Sequence, residues 1–119
     1  MSQTDPLADL RARFIGRSRE RVRSLRSLID AGPGHARHHP ETEGVSAAAA
    51  VARLAHQLAG AAGTFGYAAL GAAAAALEDR ARAAQDETSI FDPLPLTPIL
   101  QVLEARMAEL EANAAREPR

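Results

Sequence analysis

The sequence has no cysteine and no tryptophan, and aromatic residues make up only 3% of its 119 residues. Without cysteine the protein can form neither a disulfide framework nor a thiolate metal site, which fits the reducing cytoplasm. Hydrophobic residues reach 46%, but many of them are alanine. This composition argues against a thick sheet sandwich and favours a core of closely approaching helices.

The sequence also lacks the long apolar run of a membrane span, and residues 1–14 contain no signal-peptide core. The formal net charge of −1 argues against nucleic acid as the main partner. We therefore expect a cytoplasmic protein with no membrane insertion. Its high alanine and arginine content is typical of a GC-rich bacterial genome.

Apolar side chains recur at helical spacing in four segments, which predict helices at about residues 6–30, 46–63, 67–85 and 97–115. Candidate N-caps at Asp5, Ser46 and Thr97, and prolines at residues 6 and 98, support these starts. The side chains expected to face the core are Leu7, Leu10, Phe14, Val22, Leu25, Leu28 and Ile29 in the first helix, Val51, Leu54, Ala55, Leu58 and Ala62 in the second, Leu70, Ala74, Leu77 and Ala81 in the third, and Ile99, Leu100, Leu103, Met107 and Leu110 in the fourth.

The connecting segments are polar or carry glycine and proline. Residues 32–44 and 86–95 are predicted loops, and Thr64-Phe65-Gly66 is a predicted turn whose Phe65 plugs the closed end of a helical hairpin. No segment alternates with period two for long enough to form a strand. Residues 1–119 are therefore expected to form a single all-α domain, an antiparallel up-down four-helix bundle.

His56 stands out because it lies roughly 140° around the second helix from the middle of the apolar stripe, so its ring should face solvent. Glycine inside a helix costs about 0.5–1 kcal/mol relative to alanine. Gly60 lies nearly opposite the apolar stripe, so we interpret it as clearance for a large partner rather than as a packing residue. The residues one and two turns from His56 are Ala52, Arg53, Ala59, Gly60 and Gly63.

Residues 55–70 read AHQLAGAAGTFGYAAL. This run resembles the histidine-containing phosphotransfer (HPt) domain family, including the version at the N-terminus of chemotaxis kinases. The family pattern has the form H-x-L/I-K-G-x-x-x-x-L/F-G, followed by a second helix that ends near a Leu-Glu pair. The matching residues are His56 at the phosphoacceptor position, Leu58 at the buried position, Gly60 at the clearance position, Phe65-Gly66 at the end and Leu77-Glu78 on the next helix.

The resemblance implies that His56 accepts a phosphoryl group from a receiver-domain aspartate or a kinase and passes it to a response regulator. The family usually has a lysine where this chain has Ala59, and Arg53 is an alternative source of positive charge. The residues expected to give clearance and support at the phosphoryl site are Gly60, Ala59, Gln57, Arg53 and Gly63.

In relays of this family the partner receiver brings the aspartate, a lysine and Mg²⁺, because positioning and charge neutralisation dominate phosphoryl transfer. The resemblance thus implies a phosphocarrier that is not an enzyme by itself and has no cofactor or metal of its own. Its implied partners are response-regulator receiver domains and a sensor histidine kinase. We expect the chain to be a monomer.

Two other functions stay open. The first is an HPt-like interaction module that binds a receiver or kinase without being phosphorylated. The presence of Ala59 in place of the family lysine favours this alternative. The second is a purely structural or dimerising bundle, which leaves Gly60 without a purpose.

Other charged and metal-binding residue types are interpreted structurally. Glu78 either orients a neighbour or is solvated, with solvation at least as well supported, and Asp79, Arg80 and Arg82 are taken as a solvated face. His35, His38 and His39 are ligand types for a transition metal, but the segment around them offers no fixed geometry. The first helix has a basic outer face. We interpret it as a solvated face that complements the acidic C-terminal half, in preference to one that attracts an acidic partner or an anionic membrane surface. Its residues are Arg11, Arg13, Arg17, Arg19, Arg21, Arg23 and Arg26.

Overall fold

The computed structural model describes residues 6–31, 46–87 and 94–116, without the side chains of residues 85–87. Over these ranges the protein is helical and contains no strand, which confirms the predicted all-α four-helix bundle. None of the helices in these ranges combines the length and the apolar character needed to cross a membrane. The elements are α1 (Pro6–Asp30), α2 (Ala47–Phe65), α3 (Ala68–Glu87), a short 3-10 turn (Leu94–Leu96) and α4 (Thr97–Arg116).

The start of α2 is fixed by the predicted cap. The backbone of Ser46 is extended, and its Oγ accepts a hydrogen bond from the backbone N–H of Ala49 at 3.1 Å. This bond satisfies one of the amides that a helix start leaves without a partner. Because the start is fixed, His56 lies nearly three turns into a regular helix.

The end of α2 corrects the sequence prediction, which placed it at Gly63 with a turn over residues 64–66. The helix continues to Phe65, and the chain reverses at Gly66, which has a left-handed backbone with φ of 78°. The N–H of Gly66 donates to the carbonyl of Gly63 at 3.2 Å. Gly63 is therefore an ordinary helical residue, and Gly66 is the glycine that the C-cap requires.

The bounds of α3 also differ from the prediction of 67–85, since the helix runs over Ala68–Glu87. The first glycine or proline after Gly71 is Pro93, so nothing in the sequence stops the helix at residue 85. Residues 86 and 87 of the loop predicted at 86–95 therefore belong to α3. Residues 88–93 lie outside the described ranges, and residues 94–96 form the 3-10 turn.

The core is formed by the apolar stripes of all four helices. Every predicted core residue of α2 and α3 is buried, and Ile99 and Leu110 of α4 pack against the core from partly buried positions. The closest helix pair is α2 and α3, where a Cβ placed on Gly71 would lie 3.5 Å from Cβ of Ala62 and 3.7 Å from the carbonyl oxygen of Ala59. Small side chains allow this close approach. As a result, side chains on the exposed side of α2 lie near side chains of α3.

The first two turns of α1 contradict the predicted core. Leu7 and Leu10 are 57% and 47% exposed. Phe14 is buried and its ring lies 4.9 Å from Phe65 and 5.3 Å from Tyr67 at the closed end of the α2–α3 hairpin. Within the described ranges, residues 6–10 are therefore exposed rather than part of the core.

The basic face of α1 is partly neutralised by α4. Arg19 donates to Glu111 at 2.8 Å, and Arg26 bonds to Glu104 and, at 3.0 Å, to Asp30. The hydrogen bonds from Arg26 to Glu104 and Asp30 raise the pKa of its guanidinium. These pairs agree with the interpretation that the arginines complement the acidic C-terminal half, and they link two helices that are distant in sequence.

Candidate functional site

The imidazole of His56 is on the outside of the bundle, in the middle of α2. Its side chain is 69% exposed, as the helical angle in the sequence predicted. Leu58, two residues later, is fully buried. The ring is thus held on a well-anchored helix while its outer edge is accessible to another molecule.

The surface of α2 one and two turns after His56 carries no side chains, because both positions are glycine. Gly60 and Gly63 are exposed, and a Cβ placed on either of them would meet no atom within 4 Å. Neither glycine is needed for packing within the described part of the chain. Their effect is to keep the helix surface flat next to the ring, which agrees with the clearance interpretation of Gly60.

The other predicted support residues lie in two different environments. Ala59 is partly buried against the core, and its carbonyl oxygen lies near Gly71 of α3. Gln57 and Arg53 are exposed on α2. The structure therefore places uncharged Ala59 on the side toward α3, where the family pattern has a lysine.

The principal partner of His56 is Glu78, which sequence reasoning weighed as at least as well explained by solvation. Nδ1 of His56 lies 3.0 Å and 3.2 Å from the two carboxylate oxygens of Glu78. The Glu78 side chain is only 14% exposed. The solvated interpretation of Glu78 is wrong, because the close approach of α3 to α2 places this carboxylate next to the histidine ring.

This contact fixes the chemistry of the ring. A carboxylate accepts hydrogen bonds, so Nδ1 is the nitrogen that carries the proton and donates to Glu78. In the neutral ring the lone pair is then on Nε2. The accessible histidine therefore presents a nucleophilic nitrogen to solvent.

Arg82 completes the group on α3. Its Nε and Nη2 donate to Oε2 of Glu78 at 2.9 Å and 2.7 Å. Sequence reasoning assigned Arg82 to a solvated face, and its side chain is indeed 56% exposed, but the structure adds a contact with Glu78 that the sequence analysis did not predict. The signal that would have found it is the spacing of four residues between Glu78 and Arg82, which places the two side chains on one helix face.

The environment of Glu78 keeps its carboxylate ionised. Partial burial raises the pKa of Glu78, but the hydrogen bonds from Arg82 and His56 act in the opposite direction and together outweigh the burial, so the pKa is lowered. The negative charge needed to hold Nδ1 is consequently present at neutral pH.

The described residues contain no cluster of three or more histidine, aspartate or glutamate side chains able to hold a metal ion. The loop histidines His35, His38 and His39 lie outside the described ranges. The group at His56 itself offers one imidazole and one carboxylate that is already bonded to an arginine, which is a poor ligand set for a metal.

Comparison with known families identifies the family of the chain. The family model of the Hpt domain matches residues 9–113. The chain belongs to the Hpt domain family. No curated protein and no solved structure matches the chain. Hpt domains are histidine phosphotransfer modules of phosphorelays, and they act as phosphocarriers rather than as catalysts.

Proposed function

We propose that this Hpt domain is a phosphocarrier of a bacterial, cytoplasmic phosphorelay and that His56 is its phosphoacceptor. In this role His56 accepts a phosphoryl group from a receiver-domain aspartate or a kinase and passes it to a response regulator. The observation that carries the proposal is the exposed ring whose Nδ1 is held by Glu78 at 3.0 Å. This bond leaves Nε2 as the outward nucleophile.

In this transfer the bond that forms is matched by a bond that breaks. The Nε2 lone pair attacks the phosphorus of an aspartyl phosphate, a P–N bond forms, and the P–O bond to aspartate breaks so that aspartate leaves as a carboxylate. The ring gains positive charge while Nδ1 keeps its proton, and the ionised Glu78 stabilises that charge. Reversal of the same steps delivers the phosphoryl group to the next aspartate.

The site residues have simple roles in this proposal. Gly60 and Gly63 leave room for the partner domain, and Ala59 adds no charge of its own next to the ring. Gln57 and Arg53 lie on the exposed helix surface that the partner covers. The aspartate and Mg²⁺ come from the receiver, so the carrier needs no cofactor of its own. A monomer is sufficient for this role.

The test is incubation of the protein with receiver domains that have been loaded with radiolabelled acetyl phosphate and Mg²⁺. We expect label that is labile in acid and stable in alkali on the wild-type protein and no label on His56→Gln. A variant with His35, His38 and His39 all replaced by glutamine is the matched control and should label normally. Undiminished label on His56→Gln would show that His56 is not the phosphoacceptor.

A second function is favoured by one observation, which is Ala59 at the position of the family lysine. An Hpt-like module that binds a receiver or kinase without being phosphorylated has no need of that charge. This alternative predicts that His56→Ala preserves both partner binding and the cellular phenotype. The phosphocarrier predicts that binding persists while signalling is lost.

A further inference from the structure

The proposed phosphoacceptor and two side chains next to it are connected through a single oxygen atom. Oε2 of Glu78 accepts from Nη2 of Arg82 at 2.7 Å and from Nε of Arg82 at 2.9 Å, and the same oxygen lies 3.0 Å from Nδ1 of His56. The guanidinium and the imidazole therefore share one acceptor. A change in how Arg82 holds this oxygen therefore affects the hydrogen bond that His56 donates to it.

Glu78 is the least exposed member of this group, at 14%, while Arg82 is 56% exposed. A partly buried carboxylate has lost much of its hydration and depends on hydrogen-bond donors for compensation. Arg82 supplies two donors from one turn farther along α3, in the helix orientation that favours an acid followed by a base. The carboxylate of Glu78 is thus held by Arg82 of its own helix, and it accepts a hydrogen bond from His56 of α2.

The sequence contains no lysine. Apart from histidine, positive charge on the side chains around this site must therefore come from arginine. Among the described residues, the charged groups near the ring are Glu78 and Arg82 from α3 and Arg53, which lies one turn earlier on α2. Arg82 bonds to the carboxylate that contacts His56.

We propose that Arg82 is a positioning residue for His56: it holds the Glu78 carboxylate against Nδ1 and offsets its charge, so that the ring stays neutral with Nε2 outward. The proposal rests on the proposed phosphoacceptor role of His56. A carboxylate alone beside an imidazole stabilises the protonated imidazolium, and a ring protonated on both nitrogens has no lone pair for phosphorus. Glu78 selects the tautomer, and Arg82 limits the tendency of Glu78 to protonate the ring.

The first measurement needs no phosphoryl transfer. The ring nitrogens of His56 are followed by NMR across pH in the intact chain for wild type, Arg82→Gln, Arg82→Lys and Arg80→Gln. We expect Arg82→Gln to raise the titration midpoint of the His56 ring by about 0.5 pH unit, a shift typical of an exposed charge pair. Arg82→Lys should keep most of the wild-type behaviour, and Arg80→Gln, on an exposed position of the same helix, should leave it unchanged.

The second measurement separates an action through Glu78 from a direct action on the ring. In the Glu78→Gln background the additional change Arg82→Gln should move the midpoint by less than half as much as it does in wild type, because the shared carboxylate is gone. Transfer from a receiver loaded with radiolabelled acetyl phosphate should be slowed about threefold by Arg82→Gln at mildly acidic pH. The rates of variant and wild type should converge at alkaline pH, where both rings are neutral.

An unchanged midpoint in Arg82→Gln, or an equal shift in the presence and absence of Glu78, would overturn the proposal. Retained helical circular dichroism in each variant excludes a folding defect, and Arg82→Lys gives a second readout if Arg82→Gln folds poorly. The outcome is independent of the phosphocarrier test: label on His56→Gln contradicts the proposed function, whereas the NMR shifts decide the role of Arg82 alone.

Discussion

Nδ1 of His56 and Oε2 of Glu78 lie 3.0 Å apart although the two residues are separated by 22 positions and belong to different helices. The contact exists because α2 and α3 approach closely over small residues such as Ala62 and Gly71. It gives the exposed ring a defined tautomer without burying it. A surface histidine with a fixed tautomer is prepared for one kind of reaction, nucleophilic attack from its free nitrogen, and leaves other catalytic groups to the partner.

The bond between Glu78 and His56 should be needed for rapid transfer. We expect Glu78→Gln to slow phosphoryl transfer about tenfold, which corresponds to the loss of one charge-assisted hydrogen bond of about 1.5 kcal/mol. Rates are measured in single-turnover reactions with a labelled receiver. Asp79→Asn, which changes the exposed acidic residue next in the chain, is the control and should transfer at the wild-type rate. Equal rates for Glu78→Gln and wild type would contradict a role for the carboxylate.

The same bond determines which ring nitrogen is phosphorylated. Because Nδ1 donates its proton to Glu78, the phosphoryl group should be attached to Nε2. NMR of the phosphorylated, nitrogen-labelled protein distinguishes the two isomers directly. Phosphorylation at Nδ1 would mean that the ring leaves Glu78 before it reacts.

Glu78 should also make stability depend on pH. Its pKa is lowered in the folded protein, since the bonds from Arg82 and His56 outweigh the effect of burial. A carboxyl group with a lowered folded pKa stabilises the protein at pH values above its unfolded pKa of about 4.3, and this contribution disappears as the pH falls through the folded pKa. The difference in unfolding free energy between wild type and Glu78→Gln, measured by urea denaturation, should therefore be positive at neutral pH and shrink on acidification. A difference that grows on acidification would mean that the pKa is raised.

The sequence was sufficient for the core faces of α2 and α3 but not for the start of α1 or for the ends of the elements. The spacing of Leu54, Leu58 and Leu77 identifies the buried faces because a helix that packs on one side must repeat its apolar residues every 3.6 positions. The end of α2 was misplaced because both Gly63 and Gly66 are glycines. Only the three-dimensional path of the chain shows that Gly66 is the one with positive φ.

Within the site, the sequence identified His56 and Gly60 but undervalued Glu78 and Arg82. His56 and Gly60 can be recognised from a single helix, because the number of residues between two positions gives the angle between their side chains around the helix axis. The contact of His56 with Glu78 depends on the distance and rotation between α2 and α3, which no local pattern specifies. Once Glu78 is known to face the histidine, the spacing of four residues makes Arg82 its natural partner.

The aromatic end of the bundle should contribute strongly to stability. Phe14 is buried and contacts the rings of Phe65 and Tyr67, so Phe14→Ala should lower the free energy of unfolding by about 3–5 kcal/mol. Leu10→Ala, one turn earlier on the same helix, should change it by less than about 0.5 kcal/mol, because Leu10 is largely exposed. Chemical denaturation of both variants measures the contrast. A large cost for Leu10→Ala would indicate that the first turns of α1 are covered by another molecule in solution.

The clearance beside His56 is tested by adding side chains at two glycines. A Cβ on Gly60 meets nothing within 4 Å, so Gly60→Ala should stabilise the helix by about 0.5–1 kcal/mol. Gly60→Leu should likewise remain folded, but its side chain occupies the space that a partner domain needs next to the ring. We expect it to slow transfer at least tenfold while the helical circular dichroism is unchanged.

Gly71→Leu is the contrasting variant, because a Cβ at Gly71 already contacts Ala62 at 3.5 Å and a larger side chain must separate α2 from α3. It should lower stability by about 1–3 kcal/mol, the usual cost of overpacking. Loss of transfer without loss of stability in Gly60→Leu, together with loss of stability in Gly71→Leu, distinguishes a glycine kept for a partner from a glycine kept for packing. Normal transfer by Gly60→Leu would show that the partner approaches His56 from the other side of the helix.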